Sequence, residues 1–168
     1  MMKIVAAAAI SFAAMVAPSY SQQATTKDQI VGSWKVLSLK ATTGNNVGYP
    51  LGDKVAGYVT ITADRIWLLF VDATRKAPAT ASLTEPESIA AMKSHVSWTG
   101  KYVTGEQTPD GIRLTSRVDA ASSEAINNTE RVYFIRANGN RLMFKSPGVI
   151  VPMTGATSVV EFEMVKAD

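Results

Sequence analysis

The chain has 168 residues, no cysteine, one histidine and a formal net charge of +3. The absence of cysteine excludes disulfides and cysteine-ligated metal, and a single histidine leaves little for a histidine-based metal site. The basic residues are scattered rather than clustered, so we expect no nucleic-acid partner. We also expect no metal and no cofactor.

The first residues have the three-part pattern of a secretory signal peptide. Lys3 precedes an apolar run over residues 4–17, and small serines lie at the −3 and −1 positions of a cut between Ser21 and Gln22. The apolar run is shorter than the ~20 residues that span a bilayer. We therefore predict a signal peptide over residues 1–21 and no stable membrane anchor. The alanine-rich signal and the lack of disulfides favour a bacterial periplasmic or secreted protein.

The rest of the chain, residues 22–168, has the length of one domain. Cleavage removes 21 of the 168 residues and leaves 147, with 16 basic and 14 acidic side chains. A domain of this length can bury enough apolar surface to fold without disulfides. We expect a monomer or a homodimer.

In chain order, the domain alternates between strands and turns. Thr26 is a predicted N-cap for a short helical turn over residues 27–31, and one longer helix is predicted over residues 85–94. An early proline and acidic side chains mark the start of that helix. Eight strands are predicted from apolar and β-favouring runs between turn signals, over residues 33–40, 55–62, 66–71, 97–104, 112–118, 130–136, 141–145 and 158–166.

The order of these strands predicts a mainly β fold. Hairpin follows hairpin with no βαβ unit, and two long polar loops are predicted over residues 41–54 and 119–128. An antiparallel up-and-down β-barrel of about eight strands fits best, because closure removes exposed edges, and a β-sandwich is the alternative. The strand over residues 66–71 is apolar on both faces, so we expect the helix over residues 85–94 to cover its outer side.

Five short segments carry a resemblance to a known family. They are GSWKVLS at 32–38, YPLG at 49–52, GYVTIT at 57–62, WTGKY at 98–102, and a stretch at 131–142 that begins RVY and ends GNRL. In this order they resemble the bacterial and fungal lipocalin-like domain family of the lipocalin superfamily. The resemblance implies an eight-stranded barrel whose first strand opens with the G-x-W element. The family often has a histidine where this chain has Thr115-Ser116-Arg117, so no site built around that histidine is expected.

Elementary packing gives the motif residues a structural role. A tryptophan at the closed end of a barrel fills the space where the strands converge, and an arginine from a distant strand can stack on its ring. We therefore interpret Gly32 and Trp34 as structural, with Arg131 or Arg141 as the cation over Trp34.

The interior of the barrel is the predicted binding site. A barrel of about eight strands can hold one small ligand among apolar and aromatic side chains, with a few polar ones. Arg117 interrupts an apolar strand and could pair with an anionic headgroup. The candidate lining residues are Tyr58, Trp67, Phe70, Trp98, Tyr102, Arg117, Tyr133 and Phe144. The pattern alone does not say which face of each strand points inward.

Three functions follow from this pattern, in order of preference. The first is an exported barrel that binds a small, largely apolar molecule. The second is an interaction protein with a filled barrel and the loops over 41–54 and 119–128 as its contact surface. The third is a barrel enzyme of isomerase or cyclase type. His95 has no carboxylate partner implied by spacing, and Glu161 and Glu163 are expected on the solvated face of the last strand, so no catalytic residue is assigned.

Overall fold

The computed structural model describes residues 24–78, 80, 82–151 and 155–167. The predicted signal peptide, residues 1–21, lies outside these residues. In the described part of the chain there are two helices and nine strands. In chain order these are α1 Lys27–Ile30, β1 Gly32–Thr43, β2 Asn46–Gly48, β3 Val55–Ile61, β4 Arg65–Asp72, α2 Glu85–Lys93, β5 His95–Thr108, β6 Gly111–Ala121, β7 Glu130–Asn138, β8 Arg141–Ile150 and β9 Thr157–Lys166.

The strands form one antiparallel sheet that closes on itself. From β3 to β9 each strand pairs with the next, while β1 pairs with β3 on one side and with β9 on the other. The result is a closed up-and-down barrel of eight strands, which confirms the predicted fold. The short β2 is an additional strand that pairs with the end of β1.

One segment predicted as a loop is partly strand, and one predicted strand is longer than expected. β1 continues to Thr43 and turns at Gly44 into β2, so the predicted loop over residues 41–54 is wrong for its first half. β8 continues across Pro147 to Ile150, with an irregularity in its pairing to β9 between Lys145 and Gly148. Proline lacks a backbone donor and is tolerated within a sheet at such irregularities.

The period-two alternation of the strands places one core inside the barrel. In β4, Ile66, Leu68 and Phe70 are buried, whereas Trp67 and Leu69 point outward and are 63% and 50% exposed. Helix α2 packs beside β5 and shares an apolar seam with the outer face of β4. The expected outer cover is therefore wrong for Trp67 and Leu69, which α2 leaves largely exposed.

Both helices begin at a threonine whose backbone is capped by a side chain. The side-chain oxygen of Gln29 accepts the Thr26 N–H at 2.8 Å, and the Glu87 carboxylate accepts the Thr84 N–H at 2.8 Å. These contacts satisfy donors that the first turn of a helix cannot pair internally. Across the described residues, every helix is too short or too polar to cross a bilayer.

The two ends of the barrel differ in the length of their connections. One end, here the closed end, has α1 and three tight turns, at residues 62–64, 109–110 and 139–140. The opposite end, here the open end, has the longer connections, over residues 44–54, 73–94, 122–129 and 151–156. Binding residues often lie on the longer connections at one end of a rigid scaffold, so a ligand site is expected at the open end.

Candidate functional site

The closed end is plugged by Trp34. Its side chain is 1% exposed, and its indole N–H donates a hydrogen bond of 2.8 Å to the carbonyl of Ile30 in α1. The ammonium of Lys166 lies 5.3 Å from the centroid of the ring. Lys166 reaches this position because β9 pairs with β1 at Trp34.

The arginine predicted over Trp34 is therefore wrong in both of its alternatives. Arg141 forms an ion pair with Glu163 on the outside of the barrel. Arg131 lies at the open end, where it lines a pocket. The pairing of the strands decides which cation meets the tryptophan, and that pairing brings Lys166 to it.

The middle of the barrel is filled by four aromatic rings, Phe70, Tyr133, Phe144 and Phe162, here called the aromatic cluster. Phe162 contacts the other three, with centroid separations of 4.7 Å to Phe144, 5.3 Å to Phe70 and 5.5 Å to Tyr133. Edge-to-face and offset contacts of this kind stabilise a core beyond the burial of area alone.

A pocket of about 90 Å³ lies between the aromatic cluster and the open end. Its walls come from β1, β4, β5, β7, β8 and β9, together with Ile126 from the connection over residues 122–129. Trp98 forms one wall, 5% exposed and parallel to Tyr133, with 6.2 Å between their centroids. Pockets for drug-sized molecules hold about 300–1,000 Å³, so this pocket admits a much smaller body.

Two polar side chains stand among these apolar walls. Arg131 and Tyr133 are two residues apart on β7 and therefore point to the same side, into the pocket. Burial raises the pKa of Tyr133 to about 12, against the smaller opposing effect of the Arg131 charge. The Tyr133 hydroxyl therefore stays protonated at neutral pH and can donate a hydrogen bond.

Neither side chain has a polar partner within the described residues. The guanidinium of Arg131 forms no ion pair or side-chain hydrogen bond there, and the Tyr133 hydroxyl forms no hydrogen bond. Among the described residues, the side-chain oxygen of Asn127 is the one polar side-chain atom that is fully enclosed and has no hydrogen-bond partner. Because the Tyr133 hydroxyl also lacks a partner but is not such an atom, it is not fully enclosed and is reached from the pocket.

Three of the predicted lining residues lie outside the barrel. Tyr58 and Trp67 are 52% and 63% exposed, and Arg117 is exposed on the outer face of β6. Their chain neighbours Val59 and Val118 take the inward positions. The placement of these three side chains in the lumen is therefore wrong.

The other five candidates point inward and occupy different depths. Phe70, Trp98 and Tyr133 line the pocket. Phe144 is fully buried beneath it, within the aromatic cluster. Tyr102 lies toward the closed end, where its hydroxyl donates to the carbonyl of Thr62 at 2.8 Å. Contact of a ligand with the three pocket residues stays a prediction.

Arg131 and Phe162 are among the pocket residues that the sequence analysis did not assign to the ligand site. Arg131 shares its face with Tyr133, so the period-two alternation carries a signal for it once Tyr133 is placed inside. Phe162 alternates with Glu161 and Glu163 on β9, which marks it as inward-facing. The assignment of Arg131 to the closed end conflicted with that signal.

The three residues considered for catalysis lie outside the barrel. The ring nitrogen Nδ1 of His95 is 2.9 Å from the carbonyl of Ala91 in the last turn of α2. Glu161 forms an ion pair of 3.0 Å with Lys40, and Glu163 pairs with Arg141. In the part of the chain that the structure describes, no three metal-ligating side chains come together.

A larger cleft of about 970 Å³ lies outside the barrel, between residues 72–78 and α2. One polar contact at this cleft is local, since the Asp72 carboxylate accepts both the backbone N–H and the hydroxyl of Thr74 at 2.7 Å. These hydrogen bonds lower the pKa of Asp72. Because these hydrogen bonds lie within the turn after β4, they stabilise that turn and do not indicate a ligand site in the cleft. The pocket in the barrel is therefore the better candidate site.

A closed eight-stranded barrel, plugged at one end and hollow at the other, has the architecture of a binding protein. A family model described as the lipocalin-like domain matches residues 31–164, and the chain belongs to this family. The match runs from the start of β1 almost to the end of β9, so it covers the whole barrel. No curated protein and no solved structure matches the chain.

Proposed function

We propose that this protein binds a small, largely apolar molecule in the pocket at the open end of the barrel. The observation that carries the proposal is the free space between the aromatic cluster and the open end, walled by Trp98 and Tyr133. Below this space, the buried apolar side chains form one continuous cluster that includes Trp34 and Phe162. Space that is left free in a well-packed interior, and that opens at one end, is the usual form of a ligand site.

The volume of the pocket restricts the ligand. A cavity of roughly 150 Å³ lined by apolar side chains takes up benzene. The pocket here holds about 90 Å³ and is open toward the mouth. The ligand therefore inserts one small ring or a short branched chain, and any further part of it extends past Ile126.

We also propose that the protein works outside the cytoplasm, in the periplasm or the medium. The support is the sequence of residues 1–21, with its positive start, apolar run and small residues at the cut. In that location the ligand is one that is scavenged, carried or sensed outside the cell.

The experiment that tests binding is a titration of the ¹⁵N-labelled domain, starting at Gln22, with the neutral probes benzamide and benzyl alcohol. We expect chemical-shift changes at the Trp98 indole and at amides near Tyr133 and Phe162, but none at the Trp67 indole. For bodies of this size the dissociation constant should be on the order of 1 mM.

A pair of variants on β5 sharpens this test. Val96→Phe fills the pocket and should abolish the shifts, because Val96 lines it. Val103→Phe places the same ring on the outer surface, where Val103 is 66% exposed, and should leave them unchanged. Shifts that are absent in the native domain, or that survive Val96→Phe, would overturn the proposal.

A second candidate, an interaction protein that contacts its partner on the outside of the barrel, is favoured by one observation. Tyr58 pairs across β3 and β4 with Leu69, and both are at least half exposed beside the exposed Trp67. Adjacent exposed apolar side chains on one face are typical of protein contact sites. A titration in which the small probes leave the pocket unchanged would favour this second function.

A further inference from the structure

We propose that the pocket selects a small carboxylic acid in its ionised form, with the carboxylate bound by Arg131 and Tyr133 and the apolar body against the aromatic cluster. This inference rests on the proposed function, because it names the class of ligand for the same pocket. It follows from the position, the charge and the missing partners of two neighbouring side chains on β7.

The positions of the two side chains suit one anion. Arg131 is paired in register with Ser116 on β6, and Tyr133 with Leu114, so both project from adjacent inward positions of one strand. Tyr133 is the deeper of the two, at 8% exposed, and contacts Phe162. A ligand that enters from the open end thus meets Arg131 first and the aromatic rings after it.

The surroundings of the Arg131 guanidinium differ from those of the other arginines. Three other arginines form ion pairs, Arg65 with Asp119, Arg136 with Asp110 and Arg141 with Glu163. Arg75, Arg113 and Arg117 are exposed, so water solvates them. Arg131 alone is both half-buried beside apolar walls and without a carboxylate in the described part of the chain. A cation that is partly removed from water gains from an anionic partner.

The Tyr133 hydroxyl supplies the second contact. The Tyr133 side chain is 8% exposed, and its hydroxyl is reached from the pocket and has no hydrogen-bond partner among the described residues. A carboxylate has two acceptor oxygens, one for an N–H of the guanidinium and one for the O–H of the tyrosine. The raised pKa of Tyr133, about 12, keeps this proton in place over the whole neutral range.

The single cation and the small volume define the class of acid. A monoanion is neutralised by one guanidinium, whereas a phosphate dianion would retain an unpaired charge. The walls beyond Arg131 are apolar and the pocket holds about 90 Å³, so the body of the acid is one ring or a short branched chain. Inorganic anions lack such a body and would leave the apolar walls empty.

The test compares benzoate with benzamide, which has nearly the same shape and no charge, by the chemical shifts of the Trp98 indole. We expect benzoate to bind the native domain about tenfold to a hundredfold more tightly, as for a hydrogen-bonded charge. Arg131→Gln should remove this preference, so that benzoate binds the variant no more tightly than benzamide does. Arg131→Lys should retain most of it, and Tyr133→Phe should reduce it by about threefold to tenfold.

Arg117→Gln is the matched control, because it removes an arginine from the outer face of the neighbouring strand, and it should retain the native preference. Equal binding of benzoate and benzamide would overturn this inference and leave the proposed function standing. A preference that survives Arg131→Gln would also overturn it. Binding of neither probe would overturn the proposed function, and the inference with it.

Discussion

The three tryptophans of the chain show how differently one residue type can be used in a barrel. Trp34 is 1% exposed and plugs the closed end, Trp98 is 5% exposed and lines the pocket, and Trp67 is 63% exposed on the outer face. Only Trp34 has both a hydrogen bond from its indole and a cation over its ring among the described residues. These contacts indicate a structural role for Trp34.

Trp34→Ala should lower the free energy of unfolding by about 3–5 kcal/mol, because it leaves a cavity where the strands converge. Trp67→Ala is the control on the outer surface and should change it by about 0.5 kcal/mol or less. Urea unfolding followed by circular dichroism measures both. Similar losses in the two variants would contradict the role of Trp34 as the plug.

At the scale of the elements, two motif glycines allow neighbouring strands to approach closely. A Cβ atom at Gly57 on β3 would lie 1.9 Å from the carbonyl oxygen of Leu69. A Cβ atom at Gly100 on β5 would lie 2.1 Å from the carbonyl oxygen of Arg117, next to a shift in the pairing of β5 with β6. Glycine at such points lets a strand bend so that the sheet can close.

Gly100→Ala should therefore destabilise the barrel by about 1–3 kcal/mol, because the backbone of β6 has to move away from the new methyl group. Gly105→Ala, on the same strand, is the matched control, since a Cβ atom there has no neighbour closer than 3.7 Å. Thermal unfolding of both variants gives the comparison. If Gly100→Ala were as stable as Gly105→Ala, the close approach would not be what requires the glycine.

The strands were predictable at their centres and not at their ends. The hairpin turn at Gly139 was predictable because Asn-Gly favours positive φ, and Gly139 has a φ of 59°. The strand character of Ala41 and Thr42 was not, because it comes from pairing with Val160 and Val159 of β9, far away in the chain. Local sequence describes a turn well, but a strand extends wherever its partner continues.

At the scale of the whole molecule, the barrel is a single core without any covalent cross-link. The chain has no cysteine, and the buried apolar residues form one continuous cluster from Ile30 to Met164. A domain of this size can be stable on hydrophobic burial alone. Its folding therefore requires no oxidant.

Intact-mass measurement of the protein recovered from outside the cytoplasm should show a chain that begins at Gln22. The reason is that small residues at the −3 and −1 positions direct cleavage there. Ser21→Phe places a bulky side chain at the −1 position and should leave the signal attached. Recovery of the full 168-residue chain from the native sequence would contradict the prediction of a cleaved signal.

The sequence by itself determined the mainly β class, the succession of hairpins and the family resemblance, because turn residues, alternation and short motifs are local signals. It favoured a barrel over a sandwich, and the pairing of β1 with β9 in the folded chain closed the sheet. Tertiary structure decided which face of each strand points inward, since a period of two defines two faces without saying which one is buried. It also placed Arg131 in the pocket rather than over Trp34, because register along β7 and β9 is a property of the closed sheet. The space left for a ligand depends on side chains that converge from six strands, and only the folded barrel brings them together.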